Sequence, residues 1–311
     1  MLNAGDTWDR RQPSADEIAS VERPLAEHRG QDGAPVISIL GNHCRSGAGD
    51  VSMPEAVSLG GLMRVVSQPQ TIAVGDTSVC CLPWTPVSRV LADREAGDRD
   101  EAFAEAAALL VDAARDLRRR AADPAVLLAH SSVSGSSLPS GLDAGSLREP
   151  VLPLSDLDAV GFGAVVLGHI HRPQQPHPGM FYVGSPMTLD HGEAGVPHGC
   201  WLLDTDRPHE PEFIPLPSRR WLTVDGDEDT ARGDLDVRDA VVRARVTVGG
   251  ADELRMLRPD QIHVRLLEAG AHCVTGKSEG GTPTPFFTMS KGHGGNASSS
   301  MKSMARPYRP G

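Results

Sequence analysis

Positive charge is scarce in this sequence, its cysteines do not fall into pairs, and no apolar run is long. The 311 residues hold 30 Lys and Arg against 41 Asp and Glu, a formal net charge of −11 at pH 7. That balance argues against a protein that grips nucleic acid by bulk positive charge, since phosphate binding of that kind is driven by Lys and Arg. Local contacts through metal ions or a basic groove stay open. The 5 cysteines, Cys44, Cys80, Cys81, Cys200 and Cys273, are odd in number, and no CxxC pair offers a structural zinc site. Reduced thiols are the expectation. No apolar run approaches the ~20 residues of a membrane span, and the N-terminal stretch, rich in Asp, Glu and Arg, is unlike a signal peptide. A soluble, cytoplasmic chain with no membrane partner is expected. No internal repeat is visible.

What is present is enough for a real core: 39% of the residues are hydrophobic, and the length suits one large domain plus a smaller one. Ser14 followed by Glu17 forms a capping-box pattern that predicts a helix near 15–29. Strands are predicted at 35–40, near 71–74 and 78–82, at 125–130, at 164–169 and at 180–184, with a short segment near 156–160. Residues 100–120 read as a long amphipathic helix with a basic C-terminal end. This alternation predicts a layered α/β domain. From about residue 200 the texture changes to short strands in GCWLLDTD, PEFIPLP and RRWLTVD, a strand at 241–248, and a helix then a strand in PDQIHVRLLEAGAHCV, a second, smaller α+β unit. Residues 276–311, rich in Gly, Ser and Pro, read as a disordered, mildly basic tail.

Chemistry-bearing residues gather after the predicted strands: Gly-Asp at 5–6, Gly-Asn-His-Cys at 41–44, His130 after VLLA, and Gly-His-Ile-His at 168–171. Open α/β sheets place their ligands at such strand ends. At a strand tip residues i and i+2 point the same way, so His169 and His171 are expected to face one site. A lone imidazole is ordinarily a hydrogen-bonded core or surface group; two at this spacing after a strand and a glycine argue for more. A carboxylate, an amide oxygen and three imidazoles suit Mn²⁺, Fe²⁺ or Zn²⁺ better than Ca²⁺ or a thiolate cluster. The glycines are expected to turn the backbone sharply so that the next side chain enters the site.

Taken in order, these blocks resemble the signature of the calcineurin-like metallophosphoesterases, which is Asp-x-His, Gly-Asp-x-x-Asp/His, Gly-Asn-His-Asp/Glu, a solitary His, and Gly-His-x-His. Every block but the first is present. GDTWDRRQPS at 5–14 and YVGSPMTLDHGE at 182–193 are similar to segments of the SbcD nucleases, bacterial relatives of the double-strand-break repair nucleases, and the cap-like RPDQIHVRLLEAGAHCV fits as well. The likeness covers roughly residues 3–275. It implies a layered sandwich of β-sheets flanked by helices over 1–195, N-terminally incomplete, a capping domain over 196–275, and the tail. It implies two divalent cations, Mn²⁺ in this family. Asp6 would bridge them, Asn42, His130 and His169 would complete one, and His171 would bind the other. His43 would stand beside the scissile phosphate, orienting it and aiding departure of the leaving oxygen. The implied activity is metal-dependent exonuclease or endonuclease hydrolysis of phosphodiester bonds in DNA repair, recombination or replication. The implied partners are DNA, an SbcC-type ATPase subunit and a second copy of the chain.

The sequence also departs from the family. Asp-x-His is absent, because the chain begins four residues before Gly5. Either the start is assigned late or this is a fragmentary product, and the second cation is left with Asp6 and His171 alone. The missing segment would leave unpaired strand edges and exposed apolar surface. Two alternatives to a nuclease are therefore carried: a catalytically impaired DNA-binding or scaffold subunit, and another metallophosphoesterase such as a phosphatase. Cys44 stands where the family has an acidic residue, either a poor replacement for a carboxylate that orients an imidazole or a neutral swap. Cys80 and Cys81 are expected to pack within a strand. Asp9 is placed near the metals without ligating them. Asp190, His191 and Glu193 are read as a structural segment beside the site. His177, His198, His209, His263 and His272 are read as surface or cap residues, and His28 as part of the first helix.

Overall fold

The structure, a computed structural model, describes residues 1–9, 11–33, 35–44, 52–58, 61–91, 98–225, 236–248, 258–275 and 288–291. The chain divides into two compact units, Met1–Arg219 and Arg220–Gly311. Among the described residues no helix is long and apolar enough to cross a membrane.

The first unit runs β1 (Leu2–Asn3), α1 (Ala15–Asp32), β2 (Ile37–Ile39), α2 (Met53–Ser58), β3 (Arg64–Val66), β4 (Gln70–Val74), β5 (Thr77–Leu82), α3 (Val87–Val90) and α4 (Arg99–Arg120). It continues with β6 (Ala125–His130), β7 (Ser132–Val133), β8 (Val151–Leu152), α5 (Leu154–Asp158), β9 (Ala164–Gly168), β10 (Gln174–His177), β11 (Met180–Tyr182), β12 (Gly199–Leu202) and β13 (Glu212–Pro215). A three-stranded parallel sheet has the order β1-β2-β3. A six-stranded sheet has the order β10-β11-β9-β6-β5-β4, parallel through β11, β9, β6 and β5 with an antiparallel strand at each edge.

Strand alternation sorts the side chains of the six-stranded sheet between two cores. Val79, Cys81, Val126, Leu128, Ala164, Val166 and Phe181 point to one face and meet Ile37, Ile39 and Val66 of the three-stranded sheet. Cys80, Leu82, Leu127, Ala129, Val165, Leu167, Met180 and Tyr182 point to the other and meet Val111, Ala114 and Leu117 of α4 and Leu157 of α5. On the far side of the small sheet, Ile18, Val21 and Leu25 of α1 pack with Trp8, Val36, Met63 and Val65. The result is a helix, sheet, sheet, helix layering, within the α/β class expected from the alternation of elements.

Local signals set the two long helices. Ser14 caps α1 with the complete capping box to Glu17. Asp98 caps α4 through the N–H groups of Asp100 and Glu101, and Arg118, Arg119 and Arg120 close its last turn, where the helix dipole favours positive charge. The buried positions Ala107, Val111, Ala114 and Leu117 recur at the helical spacing that turns one stripe to the sheet.

The second unit carries β14 (Trp221–Asp225), β15 (Val241–Val248), α6 (Pro259–Glu268), β16 (Cys273–Thr275) and β17 (Thr288–Lys291). β14 lies parallel to one side of β15, while β16 and β17 follow one another along the rest of it, also parallel. Val242, Ala244, Ile262, Leu266 and Val274 form its core. The expected capping domain began at 196, but β12 and β13 belong with the first unit. Trp201 stacks on Phe181 at 5.2 Å between ring centroids, and Phe213 meets Trp201 edge-on at 5.1 Å. Of the expected tail, only Thr288–Lys291 is described, as β17; the remainder lies outside the described residues.

Candidate metal centre

The four polar motifs end on one edge because their strands run parallel. β6 and β9 are registered so that His130 stands opposite Gly168, and β1 and β2 deliver Asp6 and Asn42 from the facing sheet. Asp6, His130 and His169 offer ligand atoms within 4.8 Å of one another. Asn42 Oδ1 sits between the two imidazoles, 3.0 Å from His130 Nε2 and 3.0 Å from His169 Nδ1. His130 Nε2 is also 3.1 Å from Asp6 Oδ2.

Backbone conformation here is unusual. Asp6 has φ 51° and His169 φ 91°, a left-handed region that costs a non-glycine residue roughly 1–3 kcal/mol. The sharp turns before these residues were expected at the glycines: Gly5, with φ 100°, makes one before Asp6, whereas His169 makes its own and Gly168 serves a different purpose. A Cβ on Gly168 would lie 2.0 Å from the Ala4 carbonyl oxygen and 2.8 Å from His130 Nδ1, and one on Gly41 would lie 2.1 Å from Asp6 Oδ1. These two glycines are required for room.

The fit to a cation rests on where the protons lie. His130 Nδ1 is 2.6 Å from the Ala4 carbonyl oxygen, which can only accept, so the ring donates there and Nε2 is left bare. That bare nitrogen faces Asn42 Oδ1 and an Asp6 carboxylate oxygen. Electron pairs thus converge from several atoms on one small volume, an arrangement stabilised when a cation or proton lies between them. His169 repeats the pattern with its ring reversed: Nε2 is 2.6 Å from Glu149 Oε1 and Nδ1 faces Asn42. The donor set of one carboxylate, one amide oxygen and two imidazoles fits a borderline divalent ion.

Three carboxylates of the region, Asp6, Glu149 and Glu193, titrate below their usual range. Burial pushes the Asp6 carboxyl up, but without an ion a proton taken up by His130 Nε2, together with the backbone N–H of His43, outweighs it, so Asp6 titrates below its usual range. For Glu149 burial is likewise outweighed, by His169 and the Ser132 hydroxyl. Glu193, 2% exposed, is lowered in the same way against burial by His171 and the Leu189 N–H. His171 is raised, chiefly by its hydrogen bond to Glu193, against burial and with help from the Glu193, Asp6 and Asp190 charges.

His171 is not part of the tight cluster: its Nδ1 lies 2.5 Å from Glu193 Oε1. His43 also stands apart. Its backbone N–H donates to Asp6 Oδ1 at 2.8 Å, while its half-exposed ring contacts the Asp9 carbonyl oxygen through Nδ1 at 2.7 Å. Asp9 also brings its carboxylate Oδ1 to 3.7 Å from the same His43 nitrogen. Cys44 is buried with Sγ 3.8 Å from Asp6 Oδ1, and burial raises its thiol, so it stays protonated. Cys80 and Cys81 are core side chains.

Two residues of this region escaped the sequence reading. Glu149 lies in no motif, after a Ser- and Gly-rich loop, and nothing in its surroundings marks it. His198, read as a surface or cap residue, is 5% exposed with Nδ1 3.0 Å from Ser185 Oγ, and the Ser185 hydroxyl is 3.4 Å from Glu193 Oε2. The segment 185–198 is therefore a hydrogen-bonded wall behind His171. No protein-family model matches the chain, and no curated protein matches it either.

Proposed function

We propose that Asp6, Asn42, His130 and His169 hold a divalent cation, and that the chain is an SbcD-like subunit whose enzymatic form is a Mn²⁺-dependent DNA nuclease working with an SbcC-type ATPase. The observation that carries the cation site is the convergence of the Asp6 carboxylate, the Asn42 amide oxygen and the bare nitrogens of His130 and His169 at strand ends. The choice of DNA over other phosphate esters rests on the likeness of residues 182–193 and of the smaller unit to that family.

A divalent cation in such a site supplies Lewis-acid charge to phosphoryl oxygens and makes water more acidic. The chain's own residues complement it. Asp6 would offset only one of the cation's two charges and the other three donors are neutral, so a phosphoryl oxygen bound to the ion would meet residual positive charge there. His43 Nδ1 is engaged by the Asp9 carbonyl, which leaves Nε2 as the nitrogen that can exchange a proton with a leaving oxygen. The second cation implied by the family would have Asp6 and His171 from this chain. Homodimerisation follows from the resemblance alone.

The test is Mn²⁺ titration of the purified chain with linear duplex DNA, single-stranded DNA and a small phosphate ester as substrates. The expected result is Mn²⁺ binding with poor Mn²⁺-dependent DNA cleavage by this chain, both lost in His169→Ala. His43→Ala should bind Mn²⁺ normally while losing turnover by on the order of 10²-fold. Hydrolysis of the small ester alone would make the protein a phosphatase, and Mn²⁺ binding without cleavage a scaffold. No Mn²⁺ binding would overturn the site.

A further inference from the structure

The two imidazoles of Gly-His-Ile-His are gripped by different carboxylates through different nitrogens. Glu149 Oε1 lies 2.6 Å from Nε2 of His169, and Glu193 Oε1 lies 2.5 Å from Nδ1 of His171. A carboxylate only accepts, so each contact draws the ring proton to the nitrogen it touches. We propose that Glu149 and Glu193 are positioning residues that set His169 and His171 in opposite tautomers, His169 protonated on Nε2 with Nδ1 bare, His171 protonated on Nδ1 with Nε2 bare. This deepens the cation reading and rests on it for its purpose, since a bare imidazole nitrogen is what a cation takes. The proton positions themselves require no ion.

The alternation explains how residues two apart on one strand tip can present unlike nitrogens. His169 offers Nδ1 toward Asn42, 3.0 Å away, because Glu149 holds the ring from the side away from Asn42. His171 is held from the opposite ring nitrogen by a carboxylate that arrives much later in the chain, on the 3₁₀ turn His191–Glu193, whose preceding Asp190 accepts the Gly192 N–H. The segment LDHGE thus has a definite task at the centre.

The surroundings of the two carboxylates make them respond differently to one isosteric change. At Glu149 a single oxygen carries both loads: Oε1 accepts from Ser132 Oγ at 2.5 Å and from His169. At Glu193 the loads are divided, Oε1 to His171, Oε2 to the Leu189 N–H at 2.9 Å and the Ser185 hydroxyl at 3.4 Å. In Glu149→Gln the amide oxygen remains at the doubly used position, and His169 keeps its proton on Nε2. In Glu193→Gln the Leu189 N–H, which can only donate, retains the amide oxygen at the Oε2 position. The new NH₂ then faces His171 Nδ1, which must offer a lone pair, and the ring proton moves to Nε2.

Long-range proton–nitrogen correlation spectra of histidine-labelled protein, taken above the imidazole transitions, read the protonated nitrogen of each ring directly. The expected spectra show opposite tautomers in the native protein, no change in Glu149→Gln, and reversal at His171 alone in Glu193→Gln. Calorimetry adds a second readout: Glu149→Ala should weaken the first equivalent of Mn²⁺ by about 10–100-fold. The same tautomer in both native rings, or an unchanged His171 in folded Glu193→Gln, would overturn the proposal. The native spectrum decides the proton positions whatever the stability of the variants. If the tautomers are as stated and Mn²⁺ does not bind, the cation reading fails and the positioning assignment stands.

Discussion

His130 and Ala4 join the two sheets of the first unit at the candidate centre: the imidazole Nδ1 at the end of β6 donates to the carbonyl oxygen just after β1 at 2.6 Å. The contact fixes the ring of one ligand with the backbone that leads into another. Gly168 leaves the space through which they meet, so the centre depends on a residue with no side chain.

Gly168→Ala is accordingly expected to damage both stability and ion binding. The added methyl would meet the Ala4 carbonyl oxygen and the His130 ring, both fixed by the core, and overpacking of this kind costs about 1–3 kcal/mol. Chemical denaturation should show that loss, and calorimetry a weakened affinity for Mn²⁺. An unchanged affinity would mean that the His130–Ala4 contact does not position the ligand.

Tyr182 offers a test of the frame alone. Its hydroxyl accepts the Val133 N–H at 2.8 Å and donates to the Ser131 carbonyl oxygen at 3.0 Å, pinning the chain just after His130. Burial raises its pKa, so the hydroxyl keeps its proton. Tyr182→Phe should lose about 1–3 kcal/mol, because a buried N–H is left without its acceptor. Equilibrium denaturation checks this, and a loss no larger than that of a surface substitution would contradict the pinning.

Thiol chemistry should divide the cysteines by depth. Cys200 and Cys273 are exposed, whereas Cys44, Cys80 and Cys81 are buried. Burial, with the neighbouring Cys80, pushes the Cys81 thiol up to about 12, and the thiolate is the reactive form. A disulfide-exchange reagent should therefore modify two thiols quickly in the native protein and all 5 after denaturation. A third fast thiol would show that the candidate centre at Cys44 or one of the strand cores opens readily.

Stability should decline on both sides of a plateau in pH. Glu149 and Glu193 titrate below their ordinary value of 4.5 in the folded chain, so the stability they add is present above about 4.5 and disappears as pH falls through their lowered values. His171 titrates above its ordinary 6.5, so its contribution is complete below 6.5 and disappears as pH rises through the raised value. Urea denaturation in chelator over a pH series should show both slopes. His171→Gln should flatten the alkaline one; an identical alkaline slope in that variant would assign it elsewhere.

Much of this organisation is legible in the residues. The capping box at Ser14, the stripe of α4 and the alternating runs of β5, β6 and β9 locate those elements because the responsible interactions lie within a few residues of one another. The convergence of Asp6, Asn42, His130 and His169 also follows, since parallel strands put their C-terminal tips on one edge. β1, β3, β7 and β8 are less visible: each is two or three residues long and owes its pairing to a strand distant in the chain. Glu149 and Glu193 illustrate the harder limit. A carboxylate that orients an imidazole is recognised only by the ring it touches, and no spacing rule connects 149 to 169 or 193 to 171.

The wide separation of the candidate ligands along the chain would make an occupied centre a sensor of complete folding. Asn42 reaches His130 across 88 residues and His169 across 127, so no hairpin, peptide or half-folded intermediate contains the set. An ion held there would bind the native state and ignore its fragments, and at a hundred times its dissociation constant would add about 2.7 kcal/mol to global unfolding alone. Local openings that leave the four residues in place would go unprotected. The gain would concentrate in the slowest-exchanging amides of the central strands, coupling occupancy of the site to the lifetime of the whole first unit.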